Sequence, residues 1–238
     1  MLRALTFDFW GTLYQNAYAR KERLDLLSTV LEQHGQSRPL AELEAAVEHA
    51  KSVWEEVWQK EQRSISIDRW LDELLGHLGV TLPSEPRTEL GQAVESVYLQ
   101  TDKPRPVLGV REVLPDLADR YRLGLISDTG LTPGRVLREV MRRDGLLCNF
   151  DVLTFSDELG MAKPRPEPFL HTLGELEALP DEAAHIGDLP ETDLRGARNV
   201  GMKAVLFLGV SQREDGLPLA DAVFTDYSEL DELLEGLG

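Results

Sequence analysis

The strongest constraint on this chain is a set of five short apolar runs: Leu2 to Phe9, Leu123 to Ser127, Val152 to Phe155, Ala183 to Gly187 and Ala204 to Leu208. Segments with apolar residues at helical spacing fill the gaps between the later runs. Short continuous apolar runs mark strands buried on both faces, and parallel strands need crossovers long enough to hold a helix. The alternation therefore predicts an α/β fold, a parallel sheet with helices on both faces. A late run, Ala222 to Thr225, is expected to add an edge strand.

The stretch from Gln15 to Asp102 follows a different period. Apolar residues recur at helical spacing over Ala19 to Glu32, Leu40 to Gln62, Ile67 to Leu78 and Pro86 to Leu99. Gly35 and the turn around Pro83, Ser84 and Pro86 supply breaks. We read an inserted helical domain, 15–102, within a sheet domain made of 1–14 and 103–238. Lys103-Pro104-Arg105-Pro106, followed by Gly109, reads as a stiff connection back to the sheet. Trp54 and Trp58 stand one helical turn apart and are expected to pack within the insert rather than to form a substrate platform.

Composition narrows the function classes. A chain of 238 residues with 42% hydrophobic and 28% charged residues and no repeat is an ordinary globular protein, not a fibre, solenoid or disordered chain. The net charge of −17 repels polyanions, and the Lys and Arg residues are scattered, so neither nucleic acid nor an anionic membrane is an expected partner. A small phosphate remains compatible with such acidity if a metal ion and one or two cationic groups reverse the potential locally. Cys148 is the only cysteine, which excludes an intrachain disulfide; it is expected to be a small buried hydrophobe. Arg3 leads straight into a short apolar run, without the long apolar stretch of a signal peptide or membrane span, so a cytoplasmic location is expected. Oligomeric state is not legible.

Ligands of open parallel sheets gather outside the carboxyl ends of the strands. The first run ends Phe7-Asp8-Phe9-Trp10-Gly11-Thr12-Leu13, placing a carboxylate at the strand tip and a glycine where the backbone must turn. The second ends Ile126-Ser127-Asp128-Thr129-Gly130, offering a hydroxyl and loop amides for anionic oxygens. Asp128 either lines that phosphate site or, because a carboxylate repels phosphate, serves the turn. Thr132 and Pro133 are expected as the N-cap and first position of the next helix. After the third run, Lys163-Pro164-Arg165-Pro166-Glu167-Pro168 holds its backbone extended and fixes Lys163 as an aimed charge. The fourth ends Gly187-Asp188-Leu189-Pro190-Glu191-Thr192-Asp193, two aspartates able to serve one hard cation, one as ligand and one steadying the shell. His185 is expected to be a satisfied core residue.

Together these segments resemble the haloacid dehalogenase-like superfamily, in its C1-capped subfamily I. Its signatures are an Asp-x-x-Gly-Thr-Leu strand end, a Ser or Thr after the second core strand, a Lys-Pro segment and Gly-Asp-x-x-x-x-Asp. The resemblance runs from Leu5 to about Val205, with the helical insert where the C1 cap belongs on a Rossmann-like core. It implies that Asp8 attacks the phosphorus of a small phosphorylated substrate and forms an aspartyl-phosphate. It further implies Mg²⁺ held by Asp8, the Trp10 backbone carbonyl and Asp188, with Asp193 behind them. Ser127 and Lys163 would hold the phosphoryl oxygens, Lys163 would keep Asp8 ionised, and Gly11 and Thr12 would shape the loop. The cap would close over the substrate.

One position departs from that pattern. Phosphatases of the superfamily usually carry a second aspartate two residues after the nucleophile, as general acid and base, and here that residue is Trp10. Metal binding through the backbone can survive the change, whereas proton transfer cannot. Two alternatives stay open. A metal-independent 2-haloacid dehalogenase would use Asp8 to attack carbon, and such enzymes commonly carry an aromatic residue near this position but usually replace the Gly-Asp motif. A phosphate- or partner-binding protein would keep the fold without turnover.

Overall fold

The computed structural model describes residues 1–237. Six strands, β1 (Ala4–Phe7), β2 (Arg122–Ser127), β3 (Val152–Phe155), β4 (Ala183–Gly187), β5 (Lys203–Phe207) and β6 (Ala222–Phe224), form one sheet in the order β3-β2-β1-β4-β5-β6. Every neighbouring pair is parallel. Helices α1 (Arg20–Gln33), α2 (Leu40–Glu61), α3 (Ile67–Leu78) and α4 (Ser84–Glu95) lie between β1 and β2 in sequence. The remaining helices are α5 (Val110–Ala118), α6 (Gly134–Arg143), α7 (Ser156–Leu159), α8 (Pro166–Glu175), α9 (Arg195–Val200) and α10 (Leu230–Leu237).

Successive side chains of the central strands enter two different cores. Leu5 and Phe7, Leu123 and Leu125, Ala184 and Ile186, and Val205 and Phe207 pack with α5, α6 and α10. Ala4, Ile126, Ala183, Ala204 and Leu206 pack on the opposite face with α8 and α9. The period of two places alternate residues on opposite faces, and both faces are covered, which is why each strand reads as an unbroken apolar run. All the strand ends that carry the candidate residues consequently open on one edge of the sheet.

The helices α1 to α4 share an apolar cluster of their own, including Leu27, Leu43, Trp70, Leu74 and Leu90. The fourth helical stretch stops at Glu95 rather than continuing to Leu99; a separate 3₁₀ turn covers Val97–Gln100. Val97 and Tyr98 there are buried in the sheet's core instead, so the chain leaves the helix axis to deliver them. The two chain crossings between sheet and helices lie side by side, Gln15 N–H donating to the Arg105 carbonyl and Val107 N–H to the Leu13 carbonyl, each at 2.9 Å. Arg143 clamps the return crossing, its guanidinium donating to the carbonyls of Tyr98, Thr101, Lys103 and Pro104 at 3.3, 2.9, 3.4 and 3.0 Å.

Two local expectations are corrected. Cys148 is exposed, because it sits in the surface turn Leu147–Asn149 between α6 and β3, with its thiol directed at the Gly145 carbonyl. Helix α6 begins at Gly134, with Pro133 extended in the cap position; the Thr132 hydroxyl accepts a bond from Arg23 of α1 at 2.8 Å instead of capping the helix. Among the described residues no helix is long and apolar enough to cross a membrane.

The separate cluster under α1 to α4 leads to a measurable outcome. Leu74 is fully buried within it, so Leu74→Ala should cost about 2–5 kcal/mol locally. Hydrogen exchange should then accelerate in α1 to α4 while β1 and β4 keep their protection. Equal acceleration in both regions would mean one cooperative unit and would remove the boundary near residues 15 and 102.

Candidate active site

Asp8 lies one residue beyond β1, and its N–H still donates to the Ile186 carbonyl at 2.9 Å, so the ladder holds its backbone. The chain then reverses in a tight loop, Tyr14 N–H donating to the Phe9 carbonyl and Gly11 N–H to the Tyr14 carbonyl. Gly11 has φ +72, and a Cβ there would stand 2.2 Å from Asp188 Oδ2, so only glycine fits. Gly187 makes the same kind of approach on β4, where a Cβ would lie 2.3 Å from Asp193 Cγ. Gly11 lets the β1 loop close on Asp188, and Gly187 lets the β4 loop fold back on its own Asp193.

Lys163 completes the cluster. Its ammonium donates to Asp8 Oδ1 at 2.5 Å, Asp193 Oδ1 at 2.6 Å and the Ile126 carbonyl at 2.9 Å. It is 2% exposed, so these bonds replace its water, and three donors meet three acceptors. Burial alone would lower the lysine's pKa, but Asp193 and Asp8 outweigh it and the pKa is raised. Burial raises Asp8 well above the usual carboxylate range; the Lys163 charge opposes, and the Asp193 and Asp188 charges add to the rise. Burial also pushes Asp188 up to about 7, with the Asp193 charge reinforcing it and a Ser211 hydrogen bond opposing. In Asp193 the burial penalty is overcome by Lys163 and His185, leaving its carboxyl below the ordinary value.

The acidic oxygens converge. Asp8, Asp188 and Asp193 each offer a carboxylate oxygen, all within 4.8 Å of one another. Asp193 is already engaged: beyond Lys163, its Oδ1 meets His185 Nε2 at 3.3 Å and its Oδ2 accepts the Leu189 N–H at 2.9 Å. Asp188 differs, since Ser211 Oγ donates to its Oδ2 while its buried Oδ1 has no protein partner. Buried polar atoms are nearly always bonded, so an orphaned carboxylate oxygen beside two further carboxylates fits a hard cation. The hydroxyls of Ser127 and Thr12 are likewise buried and unpartnered, as donors for an anion would be.

The structure thus brings together Asp8, Lys163, Asp188 and Asp193 by direct contact or close approach, with Gly11 against Asp188. Ser127 lies at the same sheet edge, at the end of β2 beside β1. Asp128 is held elsewhere: its oxygens accept from the Lys163 N–H and from Trp58 Nε1. Trp54 and Trp58 do stack, with centroids 5.6 Å apart, but Trp58 also reaches across to the sheet domain. His185 is buried as expected and bonds Thr6 Oγ1 at 2.8 Å. Its contact with Asp193 makes it part of the site's support, a role its strand position did not reveal. Sequence reasoning missed Ser211 and Tyr227, whose hydroxyl donates to the Thr12 carbonyl at 3.0 Å. Neither belongs to a motif, and only folding brings them to the β1 loop.

Trp10 is partly buried, its ring edge-on to Phe9 at 4.8 Å and tilted over Tyr98 at 5.8 Å. It packs across the junction between the sheet and the returning helical stretch.

Comparison with known proteins agrees with this geometry. The family described as haloacid dehalogenase-like hydrolase matches residues 2–201. A glyceraldehyde 3-phosphate phosphatase of Methanopyrus kandleri is 29% identical over 212 residues, 86% of this chain and 83% of that protein. A phosphoserine phosphatase of Thermus thermophilus is 41% identical over 117 residues, 49% of this chain and 47% of its own length. The solved structure of a 2-haloacid dehalogenase from Pseudomonas syringae pv. Tomato DC3000 superposes with a TM-score of 0.75 and 25% identity, covering 100% of both chains. With strand-end motifs gathered on one sheet edge and a family match over most of its length, this chain belongs to the haloacid dehalogenase-like hydrolases.

Proposed function

We propose that this hydrolase removes phosphate from a small phosphorylated metabolite, using Asp8 as covalent nucleophile and Mg²⁺ as cofactor. The observation that carries this reading is the buried trio of Asp8, Asp188 and Asp193, in which Lys163 bonds two members and the free oxygen of Asp188 has no donor. Excess buried carboxylate is costly without a further cation. Asp8, Asp188 and the Trp10 carbonyl are the groups assigned to hold Mg²⁺, with Asp193 steadying Lys163 and the loop behind them. When bound, the cation supplies positive charge that lets a carboxylate approach a phosphate. Relatives named for glyceraldehyde 3-phosphate and phosphoserine support the substrate class.

In the first step an Asp8 oxygen bonds to phosphorus and the ester oxygen leaves with its electron pair. In the second, water attacks the same phosphorus, releasing inorganic phosphate and restoring Asp8. Lys163 opposes the burial that raises Asp8, and bound Mg²⁺ would add the positive charge that completes its ionisation; Ser127 and Lys163 would bind phosphoryl oxygens, and Gly11 and Thr12 shape the loop around them. The helical insert acts as a cap that excludes water. Trp10 has no proton to give to the leaving oxygen. Positioned acids are worth about 10²–10⁴-fold, so aryl, acyl and enol phosphates should turn over faster than alkyl phosphates.

The likeness to a 2-haloacid dehalogenase, together with the aromatic Trp10, favours a second reading in which Asp8 attacks carbon without metal. The retained Asp188 and Asp193 weigh against it, since that chemistry gives their charge no counterion. Release of p-nitrophenol from its phosphate should require Mg²⁺ and fall to background in Asp8→Asn. Chloride release from 2-chloropropionate without metal would instead establish the dehalogenase, and inactivity in both assays a binding protein.

The position of Trp10 leads to a second test. If the missing acid limits turnover, Trp10→Asp should raise the alkyl-to-aryl phosphate rate ratio by about 10-fold or more. The ratio is read because lost packing on Phe9 and Tyr98 affects both substrates alike, and an unchanged ratio would discard the argument.

Asp188 gives a pH dependence. An unfolded aspartate titrates near 3.9, whereas folded Asp188 titrates at about 7, so between these values the folded metal-free chain holds an extra proton. Its contribution to stability therefore falls as pH rises across that window. Mg²⁺ competes with this proton, so it should raise Tm more at about pH 8 than at about pH 5.5. Asp188→Asn should flatten the difference. Equal gains at both pH values in the unmodified chain would detach the cation from Asp188.

A further inference from the structure

Asp128 follows Ser127 yet gives its oxygens to protein donors. Its Oδ1 accepts the Lys163 backbone N–H at 3.0 Å, and its Oδ2 accepts the Trp58 indole N–H at 2.9 Å. One donor belongs to the segment whose side chain grips Asp8 and Asp193. The other comes from the last turns of α2, in the helical insert. A single carboxylate therefore joins the insert to the lysine of the candidate site.

Neighbouring contacts converge on the same loops. The Ala162 N–H donates to the Gln62 carbonyl at 2.8 Å. Ser64 Oγ donates to the Thr129 carbonyl at 2.7 Å and lies 2.7 Å from Ser156 Oγ. Trp54 lies against Gly130, where a Cβ would be 3.6 Å from its ring. The end of α2 and the turn after it are thus seated on the loops that follow Ser127 and precede Lys163. In this seated state Asp8 is 6% exposed and Asp188 2%. Undocking the end of α2 would remove the indole donor from Asp128 and admit water, which would compete for the carboxylate's hold on the Lys163 N–H.

We propose that Asp128 and Trp58 are a positioning pair that ties the placement of Lys163 to the docking of the helical insert. The role in turnover rests on the hydrolase reading above; the mechanical coupling does not. A carboxylate can accept from both donors at once, whereas an amide of the same shape must turn its NH₂ towards one of them. Asp128→Asn therefore breaks one arm of the bridge at constant size. Trp58→Phe keeps an aromatic ring and removes the indole donor.

Hydrogen exchange on the ligand-free chain reads the coupling directly. Both variants should speed exchange at Ala162 and Lys163 by about 10-fold or more, with β1 and β4 unchanged, on the strength of a bond to a charged acceptor. Kinetics with p-nitrophenyl phosphate and Mg²⁺ read the consequence. Trp58→Phe should raise KM by about 10-fold and lower kcat less than Asp128→Asn does, since it loosens Lys163 only through weakened docking. Asp128→Asn should also lower kcat, because Lys163 itself is loosened. The double variant should be no worse than Asp128→Asn, since both changes cut one path. Unaltered exchange at Lys163 in either variant, or losses that multiply in the double variant, would overturn the proposal. Should Asp128→Asn fail to fold, Trp58→Phe decides the exchange arm alone. If the unmodified chain releases no p-nitrophenol, the hydrolase reading fails while the exchange result still judges the coupling.

Discussion

The site is organised around the Lys163 ammonium lodged between Asp8 and Asp193. A buried ammonium and buried carboxylates are each unstable alone, and each becomes tolerable because the other is within hydrogen-bond reach. The third ammonium donor goes to the Ile126 carbonyl, so the lysine ties together the ends of β1 and β2 and the turn after β4. His185 and Thr6 extend this support into the sheet: Thr6 holds one ring nitrogen of His185 and the other meets Asp193. Burial lowers the histidine's pKa despite the neighbouring carboxylate, so it serves Asp193 as a neutral donor.

The balance of charge is what would let the site hold a cation. Lys163 satisfies Asp8 and Asp193 and leaves Asp188 to Ser211, with one oxygen unbonded. The unequal effects on three aspartates in one cluster follow from these partners. Asp193, with two cationic or donor side chains, stays ionised easily, whereas Asp188 resists ionisation. A residue assigned to meet a metal and a residue assigned to steady the shell are distinguished by the hydrogen bonds each already makes.

Trp10 and Asp128 are two strand-end residues whose side chains reach the returning helical stretch and the insert. Trp10 packs its ring against Phe9 and Tyr98 at the junction of the sheet and the returning helical stretch. The Asp128 carboxylate is taken up by two protein donors, the Lys163 N–H and the Trp58 indole N–H. Both residues sit within the strand-end motifs, and both serve the contact between the chain's helical and sheet portions.

The parallel sheet, the insert and the strand-end residues were legible in the linear chain, because two-sided burial writes continuous apolar runs and helices write a period near 3.6. Short-range punctuation was read less well: Thr132 serves Arg23 rather than α6, and Cys148 lies on a turn whose exposure no local pattern encodes. The order of strands along the chain and the residues waiting at their tips are written in the linear pattern. Folding settles which residues meet, since Lys163 reaches Asp8 and Asp193, Ser211 reaches Asp188 and Trp58 reaches Asp128 from segments far apart in the chain. A hydrogen bond depends on distance in space, and that distance is set by sheet order and by the close approach of the β1 loop to Asp188 at Gly11, neither of which is a property of a local stretch of sequence.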